Sequence, residues 1–284
     1  MTEKIITRVF ALVFGLLIGS FLNVCIHRWP RGRSVVKPRS HCVRCRKPIA
    51  WRDNIPVVSY ILLRGRCRHC GRHISLRYPV VELLTGLLWL WFAWRLGATL
   101  EAAKMCVFSS ILVALTFCDL EKRLLPDELT KGGMWLGFAF SLVVPVRDVT
   151  VNALPQIVLY LMHKQLNQRF ILTGRLDSVA ESLFGAAAPA LMLWGGAAVW
   201  GKLRDREMLG FGDVKLVAMV GSFLGIAGAL STMLLGSIVG ALLGLVYIWA
   251  AGKKFSDYEL PFGTFLGVAG LVVALIGPWW LRPY

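Results

Sequence analysis

Acidic side chains are scarce in this 284-residue chain: 16 Asp and Glu stand against 32 Lys and Arg, a formal net charge of +16. Charged residues are only 17% of the whole, while hydrophobic residues are 56%. A soluble domain does not combine those values, whereas a polytopic membrane protein with basic loops does. No internal repeat is evident, which argues against the paired halves common in transporters. No glycine-rich dinucleotide fingerprint is present either. The first apolar run has no basic leading region followed by a small-residue cleavage site, so a cleaved signal peptide is not expected. The basic residues are accompanied by neither an interleaved aromatic platform nor a recognition-helix pattern. No nucleic acid partner is therefore expected, and the basic loops are read as topology determinants facing anionic membrane lipid.

What is present is a series of apolar runs, at about residues 5–24, 79–97, 99–118, 132–146, 183–200, 214–230, 231–250 and 263–281. A span needs about 20 residues. The fold class expected is an all-α polytopic membrane protein of about eight transmembrane helices, with a small cytoplasmic domain inserted after the first. The expected divisions are a first transmembrane helix at 1–24, a four-cysteine domain at 25–78, and a transmembrane core at 79–284. Residues 25–78 hold fourteen Lys and Arg, which assigns them to the cytoplasmic side. Alternate crossings then put 119–131, 201–213 and 251–262 on that side and both termini outside. Val146 to Ser182 mixes Pro155, His163, Lys164, Asn167, Arg169 and Asp177 around a short apolar stretch, a pattern suited to a helix lying on the surface.

The cytoplasmic stretch carries Cys42-Val-Arg-Cys45 and Cys67-Arg-His-Cys70. Two such pairs can close a thiolate tetrahedron around zinc. A disulfide pair fits poorly on the reducing side of a membrane. So small a loop has little core of its own, which gives the metal a folding role. Four thiolates leave no open position for water, so the site is read as structural. His41, His69 and His73 lie close by and are read as solvated. Cys25, Cys106 and Cys118 fall near or inside apolar runs, where cysteine is usually an apolar filler.

Two aspartates stand at the ends of apolar runs. Asp119 closes the run 105–118, and Asp213 opens another from within Gly210-Phe-Gly-Asp213. An ionisable group there is costly and points to function. A pair of carboxylates, one charged and one protonated, can activate a water and protonate the peptide group that it attacks. The glycines beside Asp213 allow close approach. Capping is the competing role for both residues, Asp213 as N-cap of the helix that follows it. Asp127 is read as a loop or cap group.

Taken together, these motifs resemble the bacterial type IV prepilin leader peptidases, which are bifunctional N-methyltransferases. The resemblance is carried by Gly19 to Pro30, the four cysteines, Asn54 to Tyr60, Ile74 to Pro79 with Glu82, Asp119 with Pro126-Asp127, Gly210 to Leu216, and Pro261-Phe-Gly263. It implies a GxGD-type membrane aspartic protease with Asp119 and Asp213 catalytic and zinc on Cys42, Cys45, Cys67 and Cys70. The implied substrates are type IV prepilins or pseudopilins, cut after a glycine at the cytoplasmic face of the inner membrane. The new N-terminus would be methylated from S-adenosylmethionine, a cofactor for which no binding residue is assigned. A leader peptidase without methyltransferase activity and a non-enzymatic zinc-stabilised adaptor are the alternatives. Thr264 stands where the resemblance leads one to expect proline.

Overall fold

The computed structural model describes residues 2–146, 174–204, 210–251 and 261–276. They are helical, with no strand among the described residues beyond two isolated bridges. The elements are α1 (Thr2–Arg28), α2 (Val58–Leu62), α3 (Arg77–Leu96), α4 (Leu100–Lys122), α5 (Asp127–Ser141), α6 (Gly174–Arg204), α7 (Phe211–Ala251) and α8 (Phe262–Ile276). Five stretches among the described residues are long and apolar enough to cross a membrane: Thr2–Arg31, Arg77–Leu96, Leu100–Lys122, Ser178–Leu203 and Phe211–Val246. The helix Phe262–Ile276 is shorter. The chain divides into two compact units, Met1–Cys118 and Asp119–Tyr284.

In the first unit, α1 packs along α3. Small residues at the seam let the backbones approach, because lipid supplies no hydrophobic drive between helices. An added Cβ on Gly19 would lie 2.6 Å from the Glu82 Cα. The Trp89 indole donates to the Ser110 Oγ at 2.9 Å, fastening α3 to α4. Helix α4 is the most buried of the candidate spans, with Met105, Phe108, Leu112, Val113, Ala114 and Leu115 fully enclosed.

The segment between α1 and α3 is tied to both helices by polar side chains. Arg28 donates to the carbonyls of Ser34, Val35 and Pro38. The Asn23 amide donates to the carbonyl of Tyr78 at 3.0 Å, and the Glu82 carboxylate accepts the Val57 N–H at 2.8 Å. A segment of this size without strands has little apolar core, so these anchors set its attachment.

In the second unit, α6 packs on α7. A side chain on Gly185 or Gly221 would run into the other's backbone, so two glycines face each other at the crossing. The Ser182 hydroxyl donates to the Ser222 carbonyl at 2.6 Å across it. The Ser178 hydroxyl donates to Ser141 O at 2.8 Å and accepts the Val146 N–H at 2.9 Å, fixing the end of α5.

Hydropathy and helices correspond with informative shifts. Helix α1 continues to Arg28, past the apolar boundary at 24. Helix α5 is only 15 residues long. The runs 214–230 and 231–250 lie in one 41-residue element whose break falls at Gly225, with φ 75° and ψ −174°. Those angles belong to glycine, and apolar residues on both sides hide the break from a hydropathy reading. Residues 147–173, which include most of the stretch read as a surface helix, lie outside the described residues. From Gly174 onward that stretch is the start of α6.

Candidate active site and metal centre

Asp119 sits in the last turn of α4 and is 5% exposed. The helix ends because Arg123 turns into the left-handed region, φ 51°, and returns its N–H to the Asp119 carbonyl at 2.7 Å. Pro126 then opens α5, accepting the Leu129 and Thr130 N–H groups at 3.1 Å. The C-terminal end of a helix is the wrong end for a carboxylate, so Asp119 is not there to favour α4. Its side chain reaches α8: the Thr264 N–H and Oγ1–H donate to Oδ2 at 2.5 and 2.7 Å.

Asp213 is the third residue of α7, not the residue before it. Its N–H donates to the Gly210 carbonyl at 3.0 Å, closing the first turn. The N-cap role is therefore not the one it fills. Gly210 and Gly212 leave its surroundings clear of side chains, and Leu125 occupies the space beside Gly212.

The two carboxyl groups meet over Gly263. A Cβ added there would lie 3.0 Å from the Asp119 Cγ, 3.1 Å from an Asp213 carboxyl oxygen, and 3.1 Å from the Leu125 Cδ1. Three helix ends thus converge, from α4, α7 and α8, and a side chain at 263 would crowd both carboxyls. An apolar wall at Leu125 closes one flank. A water placed between such a pair can be deprotonated by one carboxylate while the other delivers a proton.

Asp127 opens α5. It bonds Lys131 at 2.7 Å and Lys215 at 2.6 Å. These two ammonium groups hold its carboxyl below the usual carboxylate range. Lys215, two residues beyond Asp213, also lies 5.1 Å from the Phe211 ring centre. Asp127 therefore ties α5 to the start of α7, a role that the sequence reading missed.

The four cysteines come together on two matching knuckles. Cys42 N–H donates to Lys47 O and Arg46 N–H to Cys42 O; Cys67 N–H donates to Arg72 O and Gly71 N–H to Cys67 O. Arg46 and Gly71 both take a left-handed conformation, φ 58° and 65°. The four Sγ atoms lie within 4.8 Å of one another. Cys42 Sγ and Cys70 Sγ are 3.9 Å apart, against an edge of about 3.8 Å for a tetrahedron with Zn–S near 2.3 Å. Backbone N–H groups of Cys70 and His69 lower the Cys67 thiol to about 7, whereas, against the Arg72 N–H, desolvation and the three neighbouring thiols push Cys70 up to about 11; four sulfurs this close become thiolates together only around a cation. The residues present fit zinc. His41 instead meets the Arg39 carbonyl at 3.0 Å, and His69 and His73 are exposed. Arg68 donates to both carboxylate oxygens of Asp53, at 2.7 and 2.8 Å, and holds that carboxyl below the usual range. Cys25, Cys106 and Cys118 are buried in helices.

Residues 13–96 match the bacterial peptidase A24 N-terminal domain, and residues 106–245 match the type IV leader peptidase family. A protein of Aeromonas hydrophila named prepilin leader peptidase/N-methyltransferase is 36% identical over 94% of this chain and 91% of its own length. The chain belongs to the type IV leader peptidase family. Other members bearing that name come from Pseudomonas aeruginosa, 33% identical over 96% of this chain and 91% of that one, and from Myxococcus xanthus, 40% identical over 86% of this chain. The match spans 64% of the Myxococcus protein's length. No solved structure matches the chain. Within the family's two matched segments, the first contains the four cysteines and the second contains both aspartates. Thr264 and Gly263 lie beyond the second.

Proposed function

We propose that this chain is a multi-pass membrane aspartic endopeptidase. It cuts the basic leader from type IV prepilins and pseudopilins after glycine, at the cytoplasmic face of the inner membrane, and then N-methylates the new terminus. The single observation behind the peptidase is the convergence of Asp119 and Asp213 over Gly263. We assign catalysis to those two residues and a structural zinc to Cys42, Cys45, Cys67 and Cys70. The functional division is a first transmembrane segment at 1–24, whose helix continues to Arg28, the zinc domain at 25–78 and the peptidase core at 79–284. Membrane lipid surrounds the core.

In the proposed reaction, one carboxylate takes a proton from a water held between the pair. The water oxygen bonds to the carbonyl carbon of the leader's last residue, and the other carboxyl gives its proton to the carbonyl oxygen. The tetrahedral intermediate collapses, the C–N bond breaks, and the nitrogen leaves with a proton from the dyad. Zinc takes no part in these steps; bound to four thiolates, it supplies folding energy to the 25–78 region. S-adenosylmethionine would be the methyl donor of the second activity.

The test is a purified preparation given a prepilin, with mass spectrometry of the product's N-terminus with and without S-adenosylmethionine. A shortened pilin in both, methylated only with the donor, is the expected result. A shortened pilin never methylated would leave a peptidase of single activity. An uncut prepilin would return the chain to the adaptor reading.

A further inference from the structure

The two carboxyls of the pair are held unequally. Asp119 Oδ2 accepts two hydrogen bonds from one residue, the Thr264 N–H at 2.5 Å and the Thr264 hydroxyl at 2.7 Å. Among the described residues, no donor contacts the Asp213 carboxyl; it has its own N–H turned to Gly210 and the other carboxyl across Gly263. Thr264 is well placed to hold such a grip. It lies in the first turn of α8, and its N–H, which also reaches the Pro261 carbonyl at 3.2 Å, lies closer to the Asp119 carboxylate. It directly follows Gly263, so the residue that spaces the two carboxyls and the residue that grips one of them are neighbours on one rigid element. A proline at 264 would supply neither donor.

We infer that Thr264 is a positioning residue that makes Asp119 the water-activating member of the pair and leaves proton donation to Asp213. This rests on the peptidase reading above. Two donors hold a carboxyl oxygen most strongly when the carboxyl is ionised, the form that takes a proton from water. Oδ2 is thereby committed to α8, the carboxyl plane is fixed, and Oδ1 is the oxygen left to take the proton from water. Asp213, with no such donors, is the member able to carry a proton to the carbonyl oxygen. The hydroxyl matters separately from the backbone N–H, because a second donor on the same oxygen strengthens the hold that resists rotation of the carboxyl about its bond.

The experiment compares Thr264→Val, Thr264→Ser and wild type in leader cleavage by the full-length protein in detergent micelles, with a prepilin as substrate. Asp119→Asn and Asp213→Asn serve as controls. Valine keeps shape and N–H but removes the hydroxyl; serine keeps both donors. The valine variant should lose at least tenfold in kcat with KM nearly unchanged, the order of loss that a mispositioned catalytic group brings. Serine should restore kcat to within about threefold of wild type. Zinc content and thermal stability should match wild type in both. Wild-type kcat in Thr264→Val, while either aspartate variant is inactive, would overturn the inference and leave the peptidase reading intact. Equal losses in Val and Ser would also overturn it, since the hydroxyl could not then be the cause. Full cleavage by both aspartate variants would instead remove the reading on which it rests.

Discussion

Replacing Gly263 by alanine changes no ionisable group and yet should cripple leader cleavage. The added Cβ would stand 3.0 Å from the Asp119 Cγ and 3.1 Å from an Asp213 oxygen, with the Leu125 Cδ1 also at 3.1 Å. Contacts this tight are rare for a real Cβ, so each neighbour must give by a few tenths of an ångström. Leu125, on a turn, can move outward. Asp119 cannot retreat without breaking the two Thr264 bonds that define its position. The two carboxyls are each pushed by a few tenths of an ångström, less than the roughly 1 Å misplacement that costs about 100-fold. The expected loss in kcat is therefore about 10-fold. The helix itself gains, because alanine is a better helix former than glycine by about 0.8–1 kcal/mol, and this offsets part of the crowding. The assay is cleavage of a purified prepilin under saturating conditions, read by mass spectrometry, with zinc content and melting temperature as checks on folding. Wild-type kcat in a folded Gly263→Ala protein would refute the claim that this gap is where the chemistry occurs.

The metal site predicts about one zinc per chain; replacing Cys42 and Cys67 together by serine should abolish zinc binding, measured by metal analysis, and full retention would refute the assignment. Asp53 and Asp127 are held below their ordinary value of 3.8, so the stabilisation from each is complete above that value and is lost as pH falls through the lower folded one. Thermal stability should accordingly be insensitive to both groups between pH 5 and 7, values well above about 4, and begin to fall below about pH 4. Asp127→Asn should cost less than about 1 kcal/mol, since its pairs are solvent-screened, and should retain substantial cleavage. Reporter fusions after residue 60 and after residue 284 should give opposite signals, as the proposed cytoplasmic placement of the basic 25–78 stretch requires; identical signals would mean a miscounted crossing.

Much of this architecture was legible before any coordinates. Apolar runs located the helices because a span must be apolar along its length. The two C-x2-C pairs marked the four-cysteine cluster as a candidate metal site, because each pair is recognisable from local spacing and each forms a matching hydrogen-bonded knuckle. The break at Gly225 was not legible, since a φ of 75° leaves no mark on hydropathy. Asp119 and Asp213 were legible as unusual residues, but their meeting was not. It depends on Gly263, far along the chain, and on three helix ends arriving at one point. Thr264 stood out only as a residue where proline was expected. Its two hydrogen bonds exist only once α8 is packed against the end of α4. Asp127 read as a cap because its partner Lys215 is 88 positions away.

The most direct test of the central claim is the initial rate of prepilin leader cleavage by purified Asp213→Asn protein, compared with wild type at equal zinc content. Asparagine keeps the size of the side chain and the fold but can neither hold nor exchange the proton that the pair shares. The account predicts that cleavage disappears, that Asp119→Asn behaves the same way, and that combining the two adds little, because groups acting as one unit are not additive. Cleavage by Asp213→Asn at the wild-type rate would contradict it.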